Sequence, residues 1–261
     1  MNSHISVFPQ GWTRQQRSTA TIAGASVSLV VFLLLVATPL AWMPEPIGPA
    51  AQEFAEGTRV TVWLTLVSGL LGIVIGVLAA LAKLAPFPPL RWAAGLYIWV
   101  TRGTPLLVQV LFVFLALPLL VPGLQLSDFN SAVAALAVNV GAYNAEALRA
   151  GILAVPKGQT EAARSLGLSP TQTFVHVVFP QSFKIALPPL VNNVVALLKD
   201  SSLAYIIGVV ELSNVGNRVQ AATFQPVPVF IATASIYLIL TTVLTQISGA
   251  IEQRLDVEQR H

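Results

Sequence analysis

Long apolar runs with few or no charged residues constrain this chain more than any other feature of its sequence. The clearest run extends from Val60 to Ala82, between Arg59 and Lys83, and contains no ionisable side chain. It is long enough to cross a bilayer, which takes a helix of about 20 mostly apolar residues. Only 10% of the residues are charged and 55% are apolar, whereas soluble domains carry about 25% charged residues. The chain lacks the charge to cover a water-facing surface, and we predict an integral membrane protein.

Six segments satisfy the length requirement for a transmembrane helix. The first follows Arg14 and Arg17, and its apolar run exceeds the roughly 7–15 residues of a signal-peptide core, so we expect it to be retained. In the second, Gly69, Gly72 and Gly76 predict close packing against another helix. The expected fold is all-α, with six transmembrane helices. Their approximate bounds are Thr21–Trp42, Val60–Ala82, Thr104–Leu120, Phe129–Ala150, Ile185–Val210 and Val229–Ala250.

The distribution of lysine and arginine predicts the orientation of these helices. With six spans both termini lie on one side, and placing them in the cytoplasm puts ten of the 14 cations there, as the positive-inside rule requires. The predicted location is therefore the plasma (inner) membrane, with several passes and both termini cytoplasmic. The ten cations are Arg14, Arg17, Lys83, Arg91, Arg149, Lys157, Arg164, Lys184, Arg254 and Arg260.

The segments between the predicted spans differ in character. Pro88–Val100 carries Trp92 and Trp99, which favour the membrane interface, and is predicted to be an interfacial helix. Arg102, which follows it, is expected to reach lipid phosphates. Three outward-facing segments are predicted to be loops, namely Met43–Thr58, Val121–Asp128 and Leu212–Pro228.

Composition excludes several classes of function. The net charge is +3, but the cations are scattered between apolar runs, which argues against nucleic-acid binding. The chain has no cysteine, and His4, His176 and His261 are far apart, so neither a disulfide framework nor a metal centre is expected. The sequence contains no Gly-x-x-x-x-Gly-Lys-Ser/Thr phosphate loop, so we do not expect an ATP-hydrolysing enzyme or a cofactor bound by this chain.

The segment Gly151–Lys184 is the longest predicted cytoplasmic connection, and such connections are usually functional. Thr160 is predicted to cap a short helix, with Glu161 in its first turn, where a negative charge suits the helix dipole. Gly167 is predicted to end that helix in a left-handed conformation. Ser169-Pro170 is predicted to begin a second helix.

The same loop carries a longer pattern. Glu161-Ala162-Ala163 is followed after three residues by Gly167 and, nine residues later, by Val177-Val178-Phe179-Pro180. This resembles the signature of the membrane subunits of type I ABC importers, which is Glu-Ala-Ala, three residues, Gly, nine residues, then Ile-x-Leu-Pro. Val177 and Phe179 replace Ile and Leu. The triplet alone would fit an ordinary amphipathic loop helix, but the whole pattern in this loop favours the family.

The resemblance implies that the loop forms short coupling helices that sit in a groove of a separate ATPase subunit. ATP and Mg would then be bound by the partner ATPase. A second permease chain, identical or different, would complete the path, and an extracytoplasmic amino-acid-binding protein would dock on the outer face. The residues that the resemblance assigns to coupling are Glu161, Ala162, Ala163, Gly167 and Pro180.

Three further stretches resemble the polar amino-acid permeases of the histidine, glutamine and arginine type. They are Thr101–Gln109, Ala142–Glu146 and Leu198–Leu203. The resemblance extends from about Thr58 to the C-terminus and implies a five-helix core preceded by one additional helix. The predicted units are residues 1–57, the transmembrane domain 58–251 with coupling loop 151–184, and a cytoplasmic tail 252–261. The individual amino acid that is carried stays open.

Lys199 and Asp200 are adjacent inside the fifth predicted span, where ionisable residues are candidates for function. Neighbours in sequence do not face each other on a helix, so either the helix breaks there or the two residues have different partners. Asp200 can bind a cationic group of a solute, and Ser201 and Ser202 can hydrogen-bond its carboxylate or amide. An internal salt bridge that stabilises the bundle is an open alternative.

Asn139, Tyr143 and Glu146 recur on one helical face of the fourth span, and Gln109 lies deep in the third. Their amide, hydroxyl and carboxylate groups suit the polar ends of an amino acid, so we predict that they line its path. Polar contacts between helices are the alternative, and for Glu146 a local pair with Arg149 is a further one.

Two other functions are considered. A secondary carrier for small solutes would need no ATPase, and it would leave the loop around Glu161 unexplained. An intramembrane enzyme would need a paired acid and base or a metal set within the spans, and the sequence offers no such constellation. The permease subunit of an ATP-driven amino-acid importer is therefore the predicted function.

Overall fold

The computed structural model describes residues 12–258 of the chain, with the side chains of residues 14, 15 and 253–258 left aside. The predictions for His4, Arg260 and His261, and for the side chains of Arg14 and Arg254, fall outside the described residues. Between residues 12 and 258 the chain forms helices joined by turns and contains no strand. The prediction of an all-α fold is therefore confirmed.

The α-helices are numbered in chain order. Their bounds are α1 Arg14–Leu35, α2 Ala37–Ala41, α3 Ala51–Leu84, α4 Pro88–Gly103, α5 Leu106–Leu111, α6 Leu117–Leu120, α7 Asp128–Ala154, α8 Lys157–Ser165, α9 Pro170–Thr173, α10 Phe179–Asp200, α11 Leu212–Thr223 and α12 Pro226–Glu258. Two π-helical segments, Phe112–Ala116 and Phe174–Val178, and one 3-10 segment, Ser201–Ile207, continue neighbouring helices.

Four helical segments between residues 12 and 258 are long and apolar enough to cross a membrane, and a fifth counts if one bent pair forms a single span. The pair is α4 with the helix from Leu106 to Leu120, bent by 112°. The predicted fourth span corresponds to α7, whose 27 residues suffice in length. Its Asn139, Asn144 and Glu146 lower the hydropathy of the helix. The structure thus has four to five apolar spans, and the count of six stays a prediction.

Two of the three predicted outer loops are wrong. Helix α3 begins at Ala51, so the first segment is half helical, and α11 covers Leu212–Thr223, so the last is largely helical. Hydropathy marks where a helix enters lipid, but these helices continue with polar residues beyond that point; Glu53 in the first turn of α3 suits the helix dipole. The third segment is a loop, and it ends at Ser127, whose side chain caps α7.

Glycines bring α3 and α7 into close contact, as predicted. Gly72 lies against Val140, and one turn later a β-carbon added at Gly76 would lie 2.6 Å from the Cβ atom of Asn144. Since residue numbers increase in the same direction along both sides of this contact, the two helices run parallel. Their C-terminal ends therefore lie at the same end of the bundle.

We call that end the loop end, because α7 leads there into residues 155–169. A β-carbon added at Gly151 of α7 would lie 2.6 Å from the carbonyl oxygen of Ser182, so α10 begins at the loop end as well. At the opposite end a β-carbon at Gly57 of α3 would lie 3.1 Å from the Cα atom of Leu212. We call this the Glu211 end, after the residue that precedes α11.

Among the described residues, the two largest of three clusters of buried apolar side chains join most of the helices. One joins the first three helices to α11 and α12 and includes Phe54 and Leu240. The other joins α3, α5 and α7 and includes Leu64, Val110 and Leu136. Helix α1 packs along α12, so the N-terminal helix is attached to the last helix of the bundle and takes no part in the second cluster.

Candidate functional site

The loop helix α8 begins earlier than predicted. Thr160 does not cap it; the helix starts at Lys157 with Pro156 as the capping residue, and Glu161 lies in its middle. Proline suits a helix start because its ring fixes φ and it has no N–H group to leave unpaired. The N–H of Gln159 donates to the carbonyl oxygen of Pro156 over 3.0 Å, which forms the first turn there.

The end of α8 is as predicted. Gly167 has φ +85°, and its N–H donates to the carbonyl oxygen of Arg164 over 3.0 Å while that of Leu168 donates to Ala163 over 3.2 Å. This pair of bonds is the Schellman arrangement, which satisfies the last carbonyl groups of a helix. The next helix is confirmed to start at Ser169-Pro170, where Ser169 and Gln172 form a reciprocal capping box.

The three predicted coupling residues within α8 divide between its two faces. Ala163 is buried against the protein at 5% exposure, whereas Glu161 and Ala162 are exposed. Leu166 is 84% exposed at the tip. Pro180 lies in the first turn of α10, behind a π-helical segment, and is exposed. The loop end therefore presents a short capped helix with one free face.

A cavity of about 310 Å³ lies between the α4–α5 joint, α7 and the end of α10. Three of the predicted path residues line it, namely Asn139, Tyr143 and Asp200. Thr104 and Asn193 add polar groups, and the apolar part of the lining consists of Leu106, Val140, Ala196 and Leu197. Thr104 was not predicted to line the path; it lies at the break between α4 and α5, in extended backbone just before Pro105.

Gln109 makes hydrogen bonds to this joint and to α7. Its side-chain N–H group donates to the carbonyl oxygen of Thr101 over 2.7 Å and to the hydroxyl of Thr104 over 2.9 Å. Its side-chain oxygen accepts from the amide of Asn139 over 3.0 Å. Gln109 therefore bonds another helix and does not line the cavity. Its hydrogen bonds fix the position of Asn139 and of the joint between α4 and α5.

Besides Gln109, four more of the predicted path residues lie outside the lining. Glu146 binds Arg149 over 2.6 Å, which is the local pair considered above. Ser201 is fully buried and donates to the carbonyl oxygen of Leu198 over 2.7 Å, and Lys199 is exposed. Ser202 is likewise absent from the cavity wall. The helix does change at the predicted point, from α to 3-10 after Asp200.

Asp200 has no cationic partner within 4.0 Å in the described part of the chain, so the internal salt bridge is not formed there. Its neighbour Asn193 donates to the side-chain oxygen of Asn144 over 2.9 Å. Near the joint, the guanidinium of Arg102 lies 5.3 Å from the ring centre of Tyr143 and so contacts an aromatic face of the cavity wall. The cavity thus combines one carboxylate with amide and hydroxyl groups.

Sequence reasoning missed a buried carboxylate at the other end of the bundle. Glu211 is 0% exposed and caps α11, accepting bonds of 2.9 Å from the N–H groups of Ser213 and Asn214. The hydroxyl of Thr61 donates to it over 3.4 Å. Burial raises the pKa of Glu211, and these bonds oppose the rise. An acidic residue just before a helix was the available signal, but the segment was predicted to be a loop.

Comparisons with known proteins agree on one family. The family model described as "Binding-protein-dependent transport system inner membrane component" matches residues 72–257. The L-cystine transport system permease protein TcyB of Bacillus subtilis (strain 168) is 40% identical over 77% of this chain and 85% of its own. The glutamine transport system permease protein GlnP of Escherichia coli (strain K12) is 37% identical over 81% of this chain and 96% of its own.

Solved structures agree as well. A crystal structure of an amino acid ABC transporter with histidines is 36% identical, with a TM-score of 0.75 over 79% of this chain and 95% of that one. An inward-facing MetNI methionine ABC transporter is 19% identical with a TM-score of 0.62 over 80% of this chain and 99% of that one. The second likeness concerns the fold alone. Both place the bundle in the type I ABC importer fold.

Proposed function

We infer how this chain works from one premise: it belongs to the family of binding-protein-dependent transport system inner membrane components, and it is the permease component of an amino-acid ABC importer. An importer of this kind has an ATPase partner. The secondary-carrier alternative is not favoured, because the family match explains the loop around Glu161. We propose that this loop receives the movement of the ATPase and that the cavity at Asp200 carries the substrate.

The free face of α8 is the proposed contact with the ATPase. Glu161, Ala162 and Leu166 are exposed on it, while Ala163 attaches the helix to the bundle. Both ends of the helix are closed, by Pro156 and by the Schellman turn, so a force on the free face moves the helix as a unit. The small side chain of Ala162 on this face allows close approach of a partner surface. The proposal rests on one observation: α8 is capped at both ends, and one of its faces is exposed.

The proposed mechanism follows from that contact. ATP and Mg bind to the partner, whose closure displaces α8 together with the start of α10, including Pro180. The spans around the cavity then change between inward-facing and outward-facing arrangements. This chain supplies the path and no step of ATP chemistry, in accord with the lack of a phosphate-loop motif in its sequence.

The cavity has the size and polarity for one small polar amino acid. Its volume is about 310 Å³, near the lower end for small-molecule sites. The carboxylate of Asp200 is proposed to bind the α-amino group, with Asn139, Tyr143 and Thr104 offering bonds to the other polar groups. Relatives named for L-cystine, glutamine and arginine transport suggest the class of polar amino acids.

The remaining parts of the assembly are also proposals. A second permease chain, identical or different, completes the path, and an extracytoplasmic binding protein docks at the Glu211 end. Residues 58–251 form the transporter core with loop 151–184, preceded by 1–57 and followed by the tail 252–261. We propose six spans in the plasma (inner) membrane. Both termini are placed in the cytoplasm because most lysine and arginine residues then lie on the cytoplasmic side.

The test replaces Glu161 with lysine in the complex of permease, ATPase and binding protein in proteoliposomes. We expect Glu161→Lys to lower both co-purification of the ATPase and ATP-driven amino-acid uptake. Glu56→Lys, an equal charge change on the exposed side of α3 at the Glu211 end, serves as the control and should retain the ATPase. Normal co-purification and uptake by Glu161→Lys would refute the proposed contact.

A further inference from the structure

A niche of about 400 Å³ lies at the loop end of the bundle, between the last turn of α3 and one side of α4. It is separate from the substrate cavity and shares no lining residue with it. The proposed function gives it no role. Its lining consists of Lys83, Arg91, Trp92, Gly95, Leu96 and Trp99.

Gly95 makes room for the ammonium group of Lys83. A β-carbon added at Gly95 would lie 2.5 Å from the Nζ atom of Lys83, and the same added atom would meet its Cε at 3.7 Å. The lysine side chain therefore crosses the α4 backbone at Gly95, where no side chain blocks it. It is half-buried there, and its charge is held within the niche.

The niche holds two positive charges and no negative one. Arg91 lies one helical turn before Gly95, on the same side of α4. Among the described residues neither Lys83 nor Arg91 has a carboxylate within 4.0 Å. Glu146 lies within electrostatic reach of Lys83 but is already bound to Arg149 over 2.6 Å. Both cations are therefore available to an anion from outside, which would be attracted by two positive charges at once.

Large apolar groups lie beside the two cations. Trp92 is 77% exposed, Leu96 61% and Trp99 73%, and the spacing of four and three residues places them along one face of α4. Tryptophan favours the level of lipid headgroups. The helix also bends by 112° from the next one, so the two cannot both run along the membrane normal. The exposed face of α4 therefore suits a lipid surface and not a water-filled space.

We propose that this niche binds an anionic phospholipid. The lipid phosphate lies between Lys83 and Arg91, and an acyl chain follows Leu96 and Trp99. A soluble phosphate compound would satisfy the two cations, but it would leave the adjacent apolar surface unoccupied. The charge and the apolar face together select the phospholipid.

The test measures lipid binding by the full purified complex after removal of bound lipid. Vesicle-derived phosphatidylglycerol and phosphatidylcholine are titrated in turn, and bound lipid is counted by native mass spectrometry. We expect the anionic lipid to bind more tightly, and the double variant Lys83→Gln/Arg91→Gln to lose roughly tenfold or more of that preference. Arg59→Gln/Arg218→Gln removes two exposed cations at the Glu211 end, away from the niche and from α8, and should retain it.

Two outcomes would overturn the proposal. The first is equal binding of the two lipids, or an unchanged preference in Lys83→Gln/Arg91→Gln. The second is displacement of phosphatidylglycerol by an equal concentration of soluble glycerol phosphate, which would identify a phosphate site and not a lipid site. As neither measurement uses ATP or transport, failure here leaves the coupling role of α8 untouched.

Discussion

The hydroxyl of Tyr237 donates a hydrogen bond of 2.8 Å to the carboxylate of Glu211, which is completely buried. Tyr237 belongs to α12 and Glu211 caps α11, while Thr61 of α3 reaches the same carboxylate. One side chain thus connects three helices at the Glu211 end.

Removal of the Tyr237 hydroxyl should destabilise the bundle. In Tyr237→Phe the buried carboxylate loses one donor, which costs about 1–3 kcal/mol. Thermal unfolding in detergent should therefore occur at a lower temperature than in the unmodified protein. Tyr205→Phe, at a tyrosine that is 39% exposed, is the matched control and should leave the midpoint unchanged. Equal midpoints for both variants would contradict the importance of this bond.

The stability of the protein should depend on pH through Glu211. Burial raises the pKa of this carboxyl above its ordinary value of 4.5. A raised carboxyl pKa means that the folded state favours the proton, so this contribution is complete below pH 4.5 and is lost as pH rises through the folded-state pKa. The unfolding midpoint of the unmodified protein, relative to Glu211→Gln, should fall as pH increases from 4.5 towards neutrality. A constant difference would refute the linkage.

Replacement of Gly167 should impair coupling without preventing membrane insertion. Its φ of +85° strains side chains that are branched at Cβ, so Gly167→Val disrupts the Schellman turn at the tip of α8. ATP-driven uptake should fall, while the amount of protein in the membrane stays the same. Gly167→Asn is the control, because asparagine tolerates the left-handed region. Normal ATP-driven uptake by Gly167→Val would count against the role of the loop.

Short-range hydrogen bonds explain why the end of α8 could be predicted from the sequence but its start could not. Gly167 and Ser169-Pro170 act through bonds to residues a few positions away, and such bonds can be inferred from spacing alone. At the start two signals competed, and Pro156 rather than Thr160 began the helix. Both residue types are common at helix starts, so spacing alone does not decide between them.

Non-local contacts account for most of what sequence reasoning missed. Thr61 and Tyr237 reach Glu211 from distant parts of the chain, and no spacing rule connects them. Hydropathy identified four to five of the apolar segments but could not find the start of α3 at Ala51, because polar helical turns outside lipid resemble loops in composition. For the cavity, helical periodicity placed Asn139 and Tyr143 on one face. Only the folded chain shows that Asp200 lines the cavity whereas Ser201 is buried elsewhere.

Loss of the charge on Asp200 should weaken transport through the cavity. Asp200→Asn keeps the size of the side chain but removes the carboxylate proposed to bind the α-amino group, and a bond to a charged partner is worth about 1.5–3 kcal/mol. We expect kcat/KM for amino-acid uptake to fall by roughly tenfold or more, while ATPase co-purification is unchanged. Lys199→Gln alters the neighbouring exposed residue, which does not line the cavity, and should leave kcat/KM within about twofold. An equal loss in both variants would mean that the charge acts on the bundle as a whole and not on the substrate.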